Sequence, residues 1–162
     1  MQLQDYASAE KDLYAAIKQI RKSYAVYRTL YSALEAQGKD DETKQVLNDA
    51  LQLSGSSGED YYNRGMIYVD LQDYTNATDM LNKSYDKGYK TALLGLGEVS
   101  YTQQDYDTAL TYYGKYFDEV DISSVDASLA AKAYNQYAAV LLAKGEYEKA
   151  AQSGGYRARP AP

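Results

Sequence analysis

Apolar and polar positions follow a helical period along nearly the whole chain. From Asp5 to about Lys22 the residues Tyr6, Ala9, Leu13, Ala16, Ile17 and Ile20 share one face, with Asp5 placed as an N-cap. Ser23 to Gln37 brings Tyr24, Tyr27, Leu30, Tyr31 and Leu34 together, and Gly38 offers the left-handed stop that ends helices. A helix over Asp41 to Leu53 carries Val46, Leu47, Ala50 and Leu51 before Ser54-Gly55-Ser56-Ser57-Gly58 breaks the chain. The same reading predicts helices from Glu59 to Leu71, Tyr74 to Lys87, Thr91 to Gln103, Tyr106 to about Glu119 and Ala127 to Lys144. A last helix begins at Glu146 and is expected to stop at Ser153-Gly154-Gly155.

One turn recurs between these helices. Asp73-Tyr74-x-x-Ala77 with Leu81 returns as Asp5-Tyr6-x-x-Ala9 with Leu13, as Asp105-Tyr106-x-x-Ala109 with Tyr113, and as Glu146-Tyr147-x-x-Ala150. Asp40-Asp41-x-Thr43 with Leu47 is a degenerate copy. The anchors at 9, 43, 77, 109 and 150 are 34, 34, 32 and 41 residues apart, and a near-constant step of this size means stacked copies of one helical hairpin. The Asp residues before helix starts read as caps, accepting orphan backbone N–H groups and favouring the helix dipole.

With the hairpins laid out, the sequence resembles the tetratricopeptide repeat family up to Ser153. Sixteen residues before each anchor stand Tyr27, Tyr61, Leu93 and Tyr134; twelve before stand Tyr31, Gly65, Gly97 and Ala138; nine before stand Leu34, Tyr68, Ser100 and Leu141; seven after stand Ala16, Ala50, Ser84 and Tyr116. Tyr31, Arg64 and Tyr116 depart from the family's pattern, and no repeat ends in its proline. The resemblance implies an all-α, right-handed solenoid of antiparallel helix pairs over residues 1–153, of about eight helices plus a short C-terminal stub. Residues 154–162, holding both prolines, are expected to be a disordered or appended tail. The start, which lacks half of a repeat, reads as a boundary within a longer, bacterial parent.

Composition narrows the chemistry. A net charge of -6 disfavours nucleic acid and anionic membrane surfaces. Cys 0 and His 0 remove thiolate chemistry, the commonest general base and the commonest metal ligand. The longest apolar run, Tyr137 to Ala143, is far short of a membrane span. The aromatic content is Tyr 20 with Phe 1 and Trp 0, suited to a thin fold in which rings are buried and hydroxyls reach polar partners. The sequence leaves cytoplasmic and exported settings both open.

No nucleophile–base pair, phosphate loop or metal cluster is legible. Gly95-x-Gly97 lies within a predicted helix and reads as close packing, and the acidic stretch Asp118 to Asp126 lacks the ligand alternation of a calcium loop. No enzyme activity and no cofactor are expected. The resemblance instead implies a concave groove lined by the first helix of each pair, holding a protein or peptide partner. The residues placed there are Arg28, Ser32, Glu59, Tyr62, Asn63, Met66, Leu94, Glu98, Tyr101 and Asn135. Tyr62, Met66, Leu94 and Tyr101 would form an apolar strip, with Arg28, Asn63 and Asn135 supplying hydrogen bonds. The carboxylate clamp of some chaperone-binding relatives is not expected, because Ser32, Thr91 and Gly95 stand where it needs an asparagine and two cations. Alternatives are a carbohydrate or small-molecule receptor, suggested by the tyrosines, and self-association through exposed solenoid ends.

Overall fold

The computed structural model describes residues 8–15 and 23–155. The predicted cap at Asp5, the apolar positions Tyr6, Ala16, Ile17 and Ile20, and the tail from 156 lie outside the described residues. Residues 8–15 form α1, followed by α2 (Tyr24–Glu35), α3 (Asp40–Leu51), α4 (Gly58–Asp70), α5 (Tyr74–Asp86), α6 (Ala92–Thr102), α7 (Tyr106–Glu119), a 3-10 turn (Ile122–Ser124), α8 (Ala127–Ala143) and α9 (Tyr147–Gly155). No strand occurs among the described residues. The helices predicted from Ser23 onward are present to within two residues at their ends, except that α9 runs through Ser153, Gly154 and Gly155, where the sequence predicts a stop; both ends of the helix predicted from Asp5 to Lys22 lie outside the described residues.

The turns explain the step. Each close pair ends its first helix with one backbone bond pattern. Lys39 N–H donates to the Leu34 carbonyl, Asp73 to Tyr68, Asp105 to Ser100 and Glu146 to Leu141, at 2.8 to 3.1 Å. This reversal needs a left-handed residue one position earlier. Gly38 supplies it as predicted and Gly145 does the same, at φ 69° and 76°, whereas Gln72 and Gln104 adopt it without being glycine, at φ 60° and 63°. The next helix is then capped. Asp73 Oδ1 accepts from the Asn76 N–H and Asp105 Oδ1 from the Thr108 N–H, both at 3.1 Å, and the Asn76 and Thr108 side chains, followed by these backbone groups, hold both carboxyls below their ordinary range.

Small residues at the anchors let the helices approach. Ala77 and Ala109 are fully buried and Ala150 nearly so. At Gly65 an added Cβ would stand 2.7 Å from Leu81 Cγ, so the backbone of α4 approaches α5 as closely as glycine allows. Two apolar clusters result. One gathers Tyr27, Leu30, Leu34, Val46 and Leu47 of α2–α3 around Ile67; the other runs from Met66 through Leu81, Leu93 and Tyr113 to Val140. Helix α4 thus serves both, Ile67 on one side and Met66 on the other. Arg64, the departure from an apolar position, is explained by its guanidinium, which donates to the carbonyls of Leu53 and Gly55 at 2.8 Å and ties down the serine-glycine turn.

On the outer layer, α5 and α7 are joined by charge. The Tyr85 hydroxyl donates to Glu119 at 2.7 Å, the Lys90 and Lys115 ammonium groups lie 4.5 and 4.3 Å from the Tyr85 ring centre, and Lys90 pairs with Glu119 at 2.5 Å. On the other side α4 packs on α6 and α6 on α8, a closer succession than the second helices keep, which makes the first-helix layer the inner, concave one.

Candidate functional site

The concave face is more polar than the sequence implied. Met66 and Leu94 are only 3% and 1% exposed, because the inner layer packs helix on helix and takes these side chains into its core. Tyr62 is half-buried, packs on that core and lies 5.3 Å from the Tyr89 ring; burial pushes its hydroxyl up to about 12. Tyr101 keeps 38% exposure, yet its ring leans on Tyr106 at 5.7 Å, toward the α6–α7 turn. No continuous apolar strip is therefore offered by these four residues. Arg28, Ser32, Glu59 and Asn135 are exposed, and Asn63 is half-buried beside Arg28 at a cavity of about 450 Å³ between α2 and α4.

What converges instead is a set of charged groups from the four first helices. Asp70, the last residue of α4, lies within electrostatic reach of Arg28 and Glu35 on α2, Glu98 on α6 and Lys132 on α8. Burial first, then Glu98 and Glu35, raise its carboxyl to about 6 against the pull of Arg28 and Lys132. Its neighbours are otherwise engaged. Tyr31 donates to Glu35 at 2.9 Å, Gln136 Nε2 donates to Glu98 at 2.9 Å, and Lys132 lies 3.8 Å from the same Glu98 oxygen. Two acceptors are left over: Asp70 Oδ2 and Gln136 Oε1 are shut off from water with no hydrogen-bond partner. The Gln136 amide is fixed in this sense, since only its NH₂ can donate to the Glu98 carboxylate.

A buried acceptor without a donor costs stability. Asp70 lies in the native chain with a carboxyl raised above its unfolded value, so the native state holds the proton more tightly. Its contribution to stability falls as pH rises from about 4 to about 6 and stays low above. Asp70→Asn is accordingly expected to raise stability near pH 7.5 by about 1 kcal/mol, discounted for partial exposure, and to make no difference at pH 3.5. Thermal melts of both proteins at the two pH values measure this; a gain that persists at pH 3.5 would assign the effect to packing.

Asp70 and Glu35 were within reach of the sequence. Asp70 continues the stripe Asn63, Met66 by four residues and Glu35 continues Arg28, Ser32 by three, so one more helical turn along the chosen face would have included both. Among the described residues no group of three or more acidic side chains could hold a metal ion, and no helix is long and apolar enough to cross a membrane.

Comparison with known proteins agrees with this architecture. Residues 61–86 match the family model of the tetratricopeptide repeat. The fold is similar to the crystal structure of BtubC (BKLC) from P. vanneervenii, at 18% identity over 98% of this chain and 77% of that one, with a TM-score of 0.63. It is similar also to a tetratricopeptide repeat protein from Parabacteroides merdae (23% identity, 94% and 59% covered, TM-score 0.55) and to MamA (19%, 93% and 85%, TM-score 0.53). No curated protein matches the sequence. The described residues have the fold of a tetratricopeptide-repeat-like solenoid, α4 and α5 forming the repeat that carries the family match. Repeats of this kind generally serve as non-catalytic scaffolds for protein interaction.

Proposed function

We propose that the chain holds a partner segment in its concave face and recognises in it a lysine or arginine. The observation that carries this is the Asp70 carboxylate, half-buried at the centre of the inner layer with one oxygen unpartnered. A cationic side chain brought onto this face would be drawn to the Asp70 carboxylate, and an arginine would offer it a fork of donors. Charge complementarity points the same way. Glu35, Asp70 and Glu98 outweigh Arg28 and Lys132 on this face, and the whole chain carries a net charge of -6. In this reading Arg28 and Glu98 border the carboxylate, Asn63, Tyr101 and Asn135 contact the partner elsewhere on the face, and Tyr62, Met66 and Leu94 support them from the core.

The test is calorimetric titration with a peptide array in which each lysine or arginine is replaced in turn by norleucine or citrulline. Peptides that bind should lose about tenfold or more in affinity on losing one cation, and Asp70→Asn should lose a similar factor toward the parent peptide alone. Binding should also weaken below pH 6 as Asp70 takes up a proton. Affinity indifferent to Asp70→Asn and to pH between 5 and 7.5 would sink the reading.

A further inference from the structure

The step from Ala109 to Ala150 is 41 residues where the preceding one, Ala77 to Ala109, is 32; α8 is longer, at 17 residues against 11 in α6, and the connection from α7 to α8 is longer too. That connection is fixed. Asp121 accepts from the Ser123 N–H and hydroxyl at 2.9 and 2.7 Å, the Ser124 hydroxyl donates to the Asp121 carbonyl at 2.6 Å, and Asp126 caps α8 through the Ser128 and Leu129 N–H groups. The connection presses Val120 and Ile122 against the core and makes them the wall of a cavity of about 700 Å³ between α7, α8 and α9.

Its floor is aromatic. Phe117, the single phenylalanine of the chain, stacks on Tyr134 at 4.9 Å with an interplanar angle of 19°, and Tyr137 stands edge-on to Phe117 at 5.6 Å and 75°. The preceding pair, with its shorter connection and shorter first helix, shows another filling of the same space. Counting back from the anchors, Tyr134 and Tyr137 correspond to Leu93 and Leu96, which are 1% and 2% exposed. There the space is closed by leucines. Here it is left half-open over rings, so the cavity is particular to this pair and not common to the repeat.

The rim limits what could enter. Lys149 and Gln152 of α9 face Asp121 of the connection across the opening, one ammonium, one amide and one carboxylate whose charges cancel. Lys149 also pairs with Glu146 at 2.6 Å and Glu146 with Lys144 at 3.7 Å, so two ammonium groups stand against two carboxylates and no uncompensated charge selects an ion. A single peptide side chain would leave most of the volume empty, whereas the size lies within the roughly 300–1,000 Å³ of small-molecule sites. Rings below and mixed donors and acceptors above complement a flat molecule with apolar faces and a hydroxyl-rich edge. We propose that this cavity binds a neutral saccharide of one or two sugar units, its ring faces against Phe117, Tyr134 and Tyr137 and its hydroxyls toward Gln152, Lys149 and Asp121. The site is separate from the concave face and stands or falls independently of it.

The test is binding of the full chain to an array of neutral mono- and disaccharides, sulfated and sialylated glycans and small apolar aromatic compounds, followed by saturation-transfer NMR titration of those retained. Tyr134→Leu with Tyr137→Leu copies the closed pair. That variant should lose about tenfold or more in affinity for the neutral sugars. Gln152→Ala alters only an exposed rim group, should lose several-fold with its melting temperature unchanged, and decides the matter alone if the double variant does not fold. Retention of no neutral saccharide, retention of charged glycans or apolar compounds only, or affinity unmoved by these variants would overturn the proposal.

Discussion

Leu81→Ala is expected to lower the unfolding free energy by about 3 to 4 kcal/mol, near the upper part of the range for buried leucines. Leu81 is fully buried, and its terminal carbons fill space that two glycines leave open. A Cβ at Gly65 would lie 2.7 Å from Leu81 Cγ, and one at Gly95 2.8 Å from Leu81 Cδ2. One side chain therefore wedges α5 between α4 and α6. The flanking glycines have no side chain to fill the void, and the neighbour at hand is Met66, whose sulfur lies 3.2 Å from the Gly95 Cβ position, so most of the cavity should persist. Urea denaturation measures it; a loss below about 1 kcal/mol would show that the junction relaxes.

Gly97→Val should cost about 3 kcal/mol by overpacking. A Cβ at this position would stand 2.6 Å from the ring of Tyr113, which is itself 1% exposed and enclosed by the larger apolar cluster. Gly114 is the internal control. Nothing lies within 4 Å of a Cβ built there, so Gly114→Ala should gain up to about 1 kcal/mol from helix propensity alone. The same denaturation experiment reads both, and a tolerated Gly97→Val with unchanged midpoint would mean that α6 and α7 are not held at this distance.

The hairpins were legible because their determinants are local. The Asp73 and Asp105 caps, the left-handed Gly38, and the buried alanines at the anchors each act within one or two turns of chain, and the structure places them as the sequence implies. Gln72 and Gln104 were not legible as left-handed residues, since the hydrogen bonds of the following turn impose that backbone on them. The concave face was read less well. Met66 and Leu94 share a stripe with polar neighbours, and whether such a residue faces the groove or the next helix depends on the angle between successive pairs, which no single hairpin encodes. Tyr116, fully buried in place of a small residue with its hydroxyl unpartnered, and the cavity behind Val120 and Ile122 likewise depend on contacts between pairs.

The Tyr85 clasp gives the solenoid uneven stiffness. A coil of stacked hairpins is a spring, and its compliance is set joint by joint, since each unit touches only its neighbours. Between the second and third pairs, two ammonium groups, a phenol and a shared carboxylate brace the outer rim. Between the third and fourth, that rim is a cavity walled by two aliphatic side chains. Load applied by a partner should therefore flex the coil at its last joint, leaving the curvature around Asp70 unchanged.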